Sequence, residues 1–109
     1  MKNSLCLCLS TINKLPLAKK IARHLIRKKI AACVNIVPKV ISIYEWDDEI
    51  CEDTEFLLLI KTLPANVKKL QREIKNLHPY EVPEFVVFKS AEVAPAYFNW
   101  AKKNTRFSR

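Results

Sequence analysis

The 109-residue chain is predicted to fold as one α+β domain spanning residues 1–109, with elements in the order βαββαβ and one more helix at the end. Three observations carry that expectation. Four apolar stretches reach strand length or longer, two segments lying among them repeat apolar residues every three or four positions, and a proline opens each of those two segments.

The first strand is Leu5 to Thr11, apolar on both faces until Ser10 and Thr11 close it, as suits a central strand covered on two sides. Pro16 then opens a helix whose apolar stripe is Ala18, Ile21, Ala22, Leu25, Ile26 and Ile30. Lys19, Lys20, Arg23, Arg27 and Lys28 fall elsewhere and make its outer face basic. Cys33 to Trp46 is long for one strand and carries Pro38-Lys39 in its middle, which predicts an edge position or a bend. Asp47-Asp48 supplies turn chemistry, and Ile50 to Thr62 returns with Phe56–Ile60 as its buried end. The pair reads as one extended hairpin whose acidic tip projects beyond so small a domain. Pro64 opens the second helix, with Val67, Leu70, Ile74 and Leu77 as a narrow apolar stripe. Glu84 to Ala91 is the last strand. Tyr97, Phe98, Trp100 and Ala101 then place a short amphipathic helix in a tail that ends in Lys102, Lys103, Arg106 and Arg109.

This order is the split βαβ, or ferredoxin-like, arrangement, in which two helices lie on one face of a four-stranded antiparallel sheet. The other face needs a cover, because the first two strands are apolar on both sides and only two main helices exist. The simplest cover is a second copy of the same sheet, which predicts a homo-oligomer.

Composition narrows the class. Half the residues are apolar, and no apolar run has the length of a membrane span. The four cysteines lack C-x-x-C spacing, so they read as free thiols in a reducing, cytoplasmic compartment, with Cys6, Cys8 and Cys33 packed in the core and Cys51 more exposed. The net charge of +8 is unevenly spread. Residues 1–44 contain no acid and nine bases, whereas residues 45–55 contain no base and seven of the eleven acids: Glu45, Asp47, Asp48, Glu49, Glu52, Asp53 and Glu55. Such a run repels itself unless cations meet it, whether a metal ion, counterions, or the basic helix or tail of a neighbouring copy.

The densest chemistry lies in His78-Pro79-Tyr80-Glu81-Val82-Pro83-Glu84, where an imidazole, a phenol and carboxylates are held between two prolines. Each proline fixes its own φ and pushes the preceding residue towards extended geometry, so the polar groups are presented in a preset arrangement.

Ala31-Ala32-Cys33-Val34-Asn35-Ile36-Val37-Pro38, Ile43-Tyr44-Glu45-Trp46, Leu59-Ile60-Lys61-Thr62, the His78–Glu84 segment and Tyr97-Phe98-Asn99-Trp100 together resemble the CutA divalent-cation tolerance family. The resemblance spans nearly the whole chain and implies a compact homotrimer of ferredoxin-like subunits. In it the sheets face inward, the long hairpin formed by the second and third strands, residues 33–62, reaches a neighbour, and a likeness to the trimeric PII signalling proteins places ligand clefts between subunits. It also implies a response to divalent metal ions such as copper. Two features depart from the family pattern. Ser10 and Leu77 stand where proposed copper-binding members carry a cysteine and a second histidine, and Asp48 stands where relatives typically carry the turn glycine, so Asp48 is expected in the left-handed conformation.

The candidate residues follow. His78 and Glu84 offer nitrogen and oxygen ligands to a divalent ion such as copper or zinc, whereas Trp46, Lys61, Tyr80 and Glu81 are expected in a cleft, where Lys61 suits an anionic small molecule. No catalytic triad, P-loop or paired catalytic carboxylates occur, which favours binding over turnover. The first helix and the C-terminal bases near Phe107 give nucleic-acid binding as an alternative, without a recognition motif.

Overall fold

Strand pairing in the computed structural model, which describes residues 3–106, gives a four-stranded sheet of order β2-β3-β1-β4. Its elements are β1 Cys6–Ile12, α1 Leu15–Arg27, β2 Cys33–Trp46, β3 Glu49–Thr62, α2 Val67–Leu77, β4 Val86–Lys89 and α3 Pro95–Lys103, with a 3-10 turn at Pro64–Asn66 leading into α2. All pairings are antiparallel, so the ferredoxin-like expectation holds together with the extra helix. Lys2, Phe107 and Arg109, which contributed to the expected basic surface, lie outside the described residues.

Burial along β1 alternates strictly, because one sheet face meets the helices. Cys8, Ile12, Leu58 and Ile60 point to that face and pack with Ile21 and Leu25 of α1 and Leu70 and Ile74 of α2. The register places Leu7, Leu9, Leu57, Leu59, Val37, Val86 and Phe88 on the opposite face. No helix covers these residues as the core is covered, and Phe88 is 54% exposed. Cys33 belongs to this open face and is half-buried, not core as its sequence neighbours suggested.

The chain contains no glycine, and among the described residues Lys29, Lys39, Asp47 and Asp48 take up the left-handed conformations. Lys29 ends α1 in a Schellman arrangement, in which the Lys29 and Ile30 amides donate to the Ile26 and Leu25 carbonyls. Asp47 and Asp48, with φ of 51° and 64°, form a two-residue turn between Trp46 and Glu49. Positive φ at both positions is the geometry that lets a two-residue turn follow the twist of its strands, so Asp47 joins Asp48 in the conformation expected of Asp48 alone.

Lys39, with φ of 58°, sits where the β2-β3 register shifts between Val37 and Val40. Pro38 and Lys39 there oppose Phe56, a bulge on an edge strand, which satisfies both readings of the mid-strand proline. The last strand is shorter than expected, Val86–Lys89 in place of Glu84–Ala91, because β1 offers β4 pairing partners only from Cys6 to Leu9.

Candidate functional site

Beyond the bulge the hairpin leaves the helices behind, and its two faces differ. Val40, Ser42, Tyr44 and Trp46 share one face with Glu55, Asp53, Cys51 and Glu49, whereas Ile41, Ile43 and Ile50 lie on the other. The first face joins the loop after α2 in a groove of about 920 Å³, walled by Tyr44, Trp46, Asp53, Glu55, Tyr80, Glu81 and Glu84 among others.

Two phenol–carboxylate pairs organise it. The Tyr80 hydroxyl donates to Glu55 Oε2 at 2.6 Å, and Glu55 is only 5% exposed. The Tyr44 hydroxyl donates to Asp53, its diagonal neighbour across the hairpin, in the open. Burial first, then the bond to Glu55 and the surrounding acids, hold the Tyr80 phenol well above its ordinary range. The bond to Asp53 is the main reason Tyr44 is pushed up to about 12. Both groups stay protonated donors, since ionising either would set a phenolate against a carboxylate.

His78 is buried behind this wall and both of its ring nitrogens are engaged. Nε2 lies 2.7 Å from the Thr11 carbonyl, an acceptor only, so Nε2 carries the hydrogen, and Nδ1 accepts the Tyr80 amide at 3.1 Å. The His78 and Tyr80 rings meet edge to face with centroids 4.5 Å apart. The imidazole thus ties the Pro79–Pro83 loop to the end of β1 and sets the direction of Tyr80. To ligate a metal it would have to surrender one of these bonds.

Within one subunit, Trp46, Tyr80 and Glu81 of the expected cleft residues line this groove together with Glu84, the expected metal ligand, while His78 is not among its walls. Lys61 is also absent from the groove walls and sits six residues from Glu55 along β3, with its ammonium 5.8 Å from the Tyr97 ring centroid of α3. At strand spacing that separation is about 20 Å. Among the described residues no lysine, arginine or histidine lines the groove, and the carboxylates Asp53, Glu55, Glu81 and Glu84 do. Asp53, Glu55 and Tyr44 were not singled out as site residues from sequence. Their signal was the period-two alternation of Ser42, Tyr44 and Trp46, which only a known register aligns with the acids of β3.

Thiols offer no soft-metal alternative on the packed side. Burial raises the Cys6 thiol and pushes Cys8 up to about 12, so both stay protonated on the helix-covered face. Among the described residues, no three His, Cys, Asp or Glu side chains converge as a metal-holding group.

The model of the family described as "CutA1 divalent ion tolerance protein" matches residues 6–104. The chain belongs to the CutA1 family. It is 45% identical over 97 residues to the divalent-cation tolerance protein CutA of Thermus thermophilus, covering 89% of this chain and 94% of that protein. A CutA homolog of Xenopus laevis is 46% identical over 83 residues, covering 76% of this chain but only 55% of its own length. The crystal structure of CutA1 from Oryza sativa superposes with a TM-score of 0.93 at 34% identity, covering 96% of each chain. CutA1 membership agrees with the resemblance carried by the five sequence blocks, and with the sheet order and long hairpin that position the groove.

Proposed function

We propose that this CutA1 chain acts in the response to divalent metal ions by binding and not by turnover, as a homotrimer whose open sheet faces and hairpins cover one another. The observation that carries this reading is the acidic, cation-free groove of Asp53, Glu55, Glu81 and Glu84, adjoining a hairpin that has no cover within its own subunit. Carboxylate oxygens suit hard divalent ions such as Mn²⁺, and tolerate Zn²⁺, better than they suit soft Cu⁺. No ligand triad converges within one described subunit, so a metal held here draws on more than one copy, with Glu84 and Glu81 as the exposed donors and His78 as the residue that sets their loop. An anionic ligand is disfavoured in this groove by the same carboxylates. The cysteines, all free, fit a reducing, cytoplasmic setting, and no helix among the described residues is long and apolar enough to cross a membrane.

Calorimetric titration with Mn²⁺, Zn²⁺ and Cu²⁺ under reducing conditions tests this, with light scattering to fix the assembly. The expected result is whole-number stoichiometry per trimer, affinity reduced about tenfold or more in Glu84→Gln, and binding lost in an Ile41→Asp/Ile43→Asp variant that no longer assembles. Binding unchanged in both variants, or none in the parent, would overturn direct binding in this groove. A parent that scatters as a monomer would overturn the trimer.

A further inference from the structure

We propose that the two-helix layer is a docking surface for the phosphate backbone of duplex nucleic acid. The burial of Ala18, Ile21 and Leu25 turns Lys20, Arg23 and Arg27 outward on α1, at intervals of three and four residues. On α2 the burial of Leu70 and Ile74 does the same for Lys68, Arg72 and Lys75. All six are exposed, and Lys19 and Lys28 flank the first row.

The layer is almost free of opposing charge. Residues 13–32 contain no acid, and the one acid of residues 63–79, Glu73, is bound to His24 Nε2 at 2.8 Å, a contact that ties α1 to α2. Along β3 the hairpin acids begin with Glu55, beside Phe56 at the edge of the helix-packed core, and run outward from it to Glu49. On the two helices themselves Glu73 is thus the one acid, while Glu81 and Glu84 follow α2 in the loop beside the groove.

The geometry selects the partner. Each row spans about 10 Å along its helix, and adjacent packed helices set the rows about 8–10 Å apart. Such a pair of rows straddles a duplex groove about 6–12 Å wide and meets backbone phosphates on both sides. Arginine supplies half of the six groups, and its fork matches phosphate oxygens. Neither row carries an aromatic residue to stack unpaired bases, so a single strand gains little. Beside the rows Ile26, at 38%, is the one exposed large apolar residue among the described residues of α1 and α2, so a membrane gains little beyond diffuse attraction. Contact with phosphates alone carries no sequence preference.

Fluorescence anisotropy with labelled DNA duplexes of about 20 base pairs and unrelated sequence tests the proposal, titrated from about 50 to 200 mM salt. With six phosphate contacts the affinity should fall about 10³-fold over that range, equally for both sequences. Arg23→Gln/Arg27→Gln/Arg72→Gln, all at exposed positions that leave the core intact, should cut the salt dependence to about 40-fold, while Lys102→Gln/Lys103→Gln at the end of α3 should leave it unchanged. Four results would overturn the proposal. They are no binding at low salt, an unaltered salt dependence in the triple variant, tighter binding to the single strand, or displacement of the duplex by phosphatidylcholine vesicles containing about a third phosphatidylserine.

Discussion

The β2-β3 hairpin is one pair of strands in two environments. Below the Pro38-Lys39 bulge, Leu58 and Ile60 are fully buried against both helices. Above it, Ile41, Ile43 and Ile50 are 65%, 67% and 80% exposed, although they are residues of the same kind in the same regular pairing. An isolated two-stranded ribbon is marginally stable in water, and isolated large apolar groups gain nothing by facing it. The proximal half is thus stabilised within the subunit. The distal half has the composition of a surface meant to be covered from outside it. Strand propensity and hydrophobicity thus specify pairing in both halves, while burial by helices is what converts pairing into subunit stability.

Matched truncations in the two halves should separate them most clearly. Leu58→Ala should cost about 3 kcal/mol, through lost burial plus the cavity left behind, at every protein concentration in denaturant unfolding. Ile43→Ala should act only on the concentration-dependent part of stability, which belongs to assembly. Equal, concentration-independent losses from both would remove the distinction.

The two phenol–carboxylate pairs sharpen it. Tyr80→Phe leaves buried Glu55 without its donor and should cost about 2 kcal/mol by chemical denaturation. Tyr44→Phe, in the exposed half, should cost less. Both phenols titrate higher in the folded chain than the ordinary value of 10.0. Their contribution is therefore complete below about pH 10 and is lost as pH rises through the folded values, near 12 for Tyr44 and higher for Tyr80. Unfolding followed between pH 9 and 12 should show this alkaline loss in the parent and a smaller one in Tyr80→Phe. An identical slope in the two would mean that the phenol is not the group responsible.

The smallest effect falls on the boundary itself. Lys39 holds a left-handed conformation that costs a side-chain-bearing residue roughly 1–2 kcal/mol, partly offset in glycine by the greater freedom of its unfolded chain. Lys39→Gly should raise the thermal midpoint slightly, by a gain of at most about 1 kcal/mol, without altering assembly. A drop in stability would show that the lysine side chain itself contributes at the bulge.

Much of this architecture was legible in the chain. The three- and four-residue spacing of Ala18, Ile21 and Leu25, and of Leu70 and Ile74, determined which helix faces are buried, because an α-helix returns to the same side at that interval. Asp47-Asp48 marked the turn, Pro38 the irregularity, and the apolar character of Leu7 and Leu9 alongside Cys6 and Cys8 the need to cover both sheet faces. Stiffness of the His78–Glu84 segment also followed from its prolines alone. What tertiary structure alone decided was register and partnership. Glu55 sits far from Tyr80 along the chain and reads as one more acid in a charged run, until pairing of Val40 with Glu55 turns it towards the loop. His78 reads equally well as ligand or brace, until the end of β1 supplies a carbonyl at hydrogen-bond distance. Lys61 shares a strand with the groove acids, yet about 20 Å of extended backbone separates it from them. Local sequence encodes periodicity, stiffness and charge, because these depend on neighbours in the chain. A site assembled from four separate segments depends on distances that only the packed sheet creates.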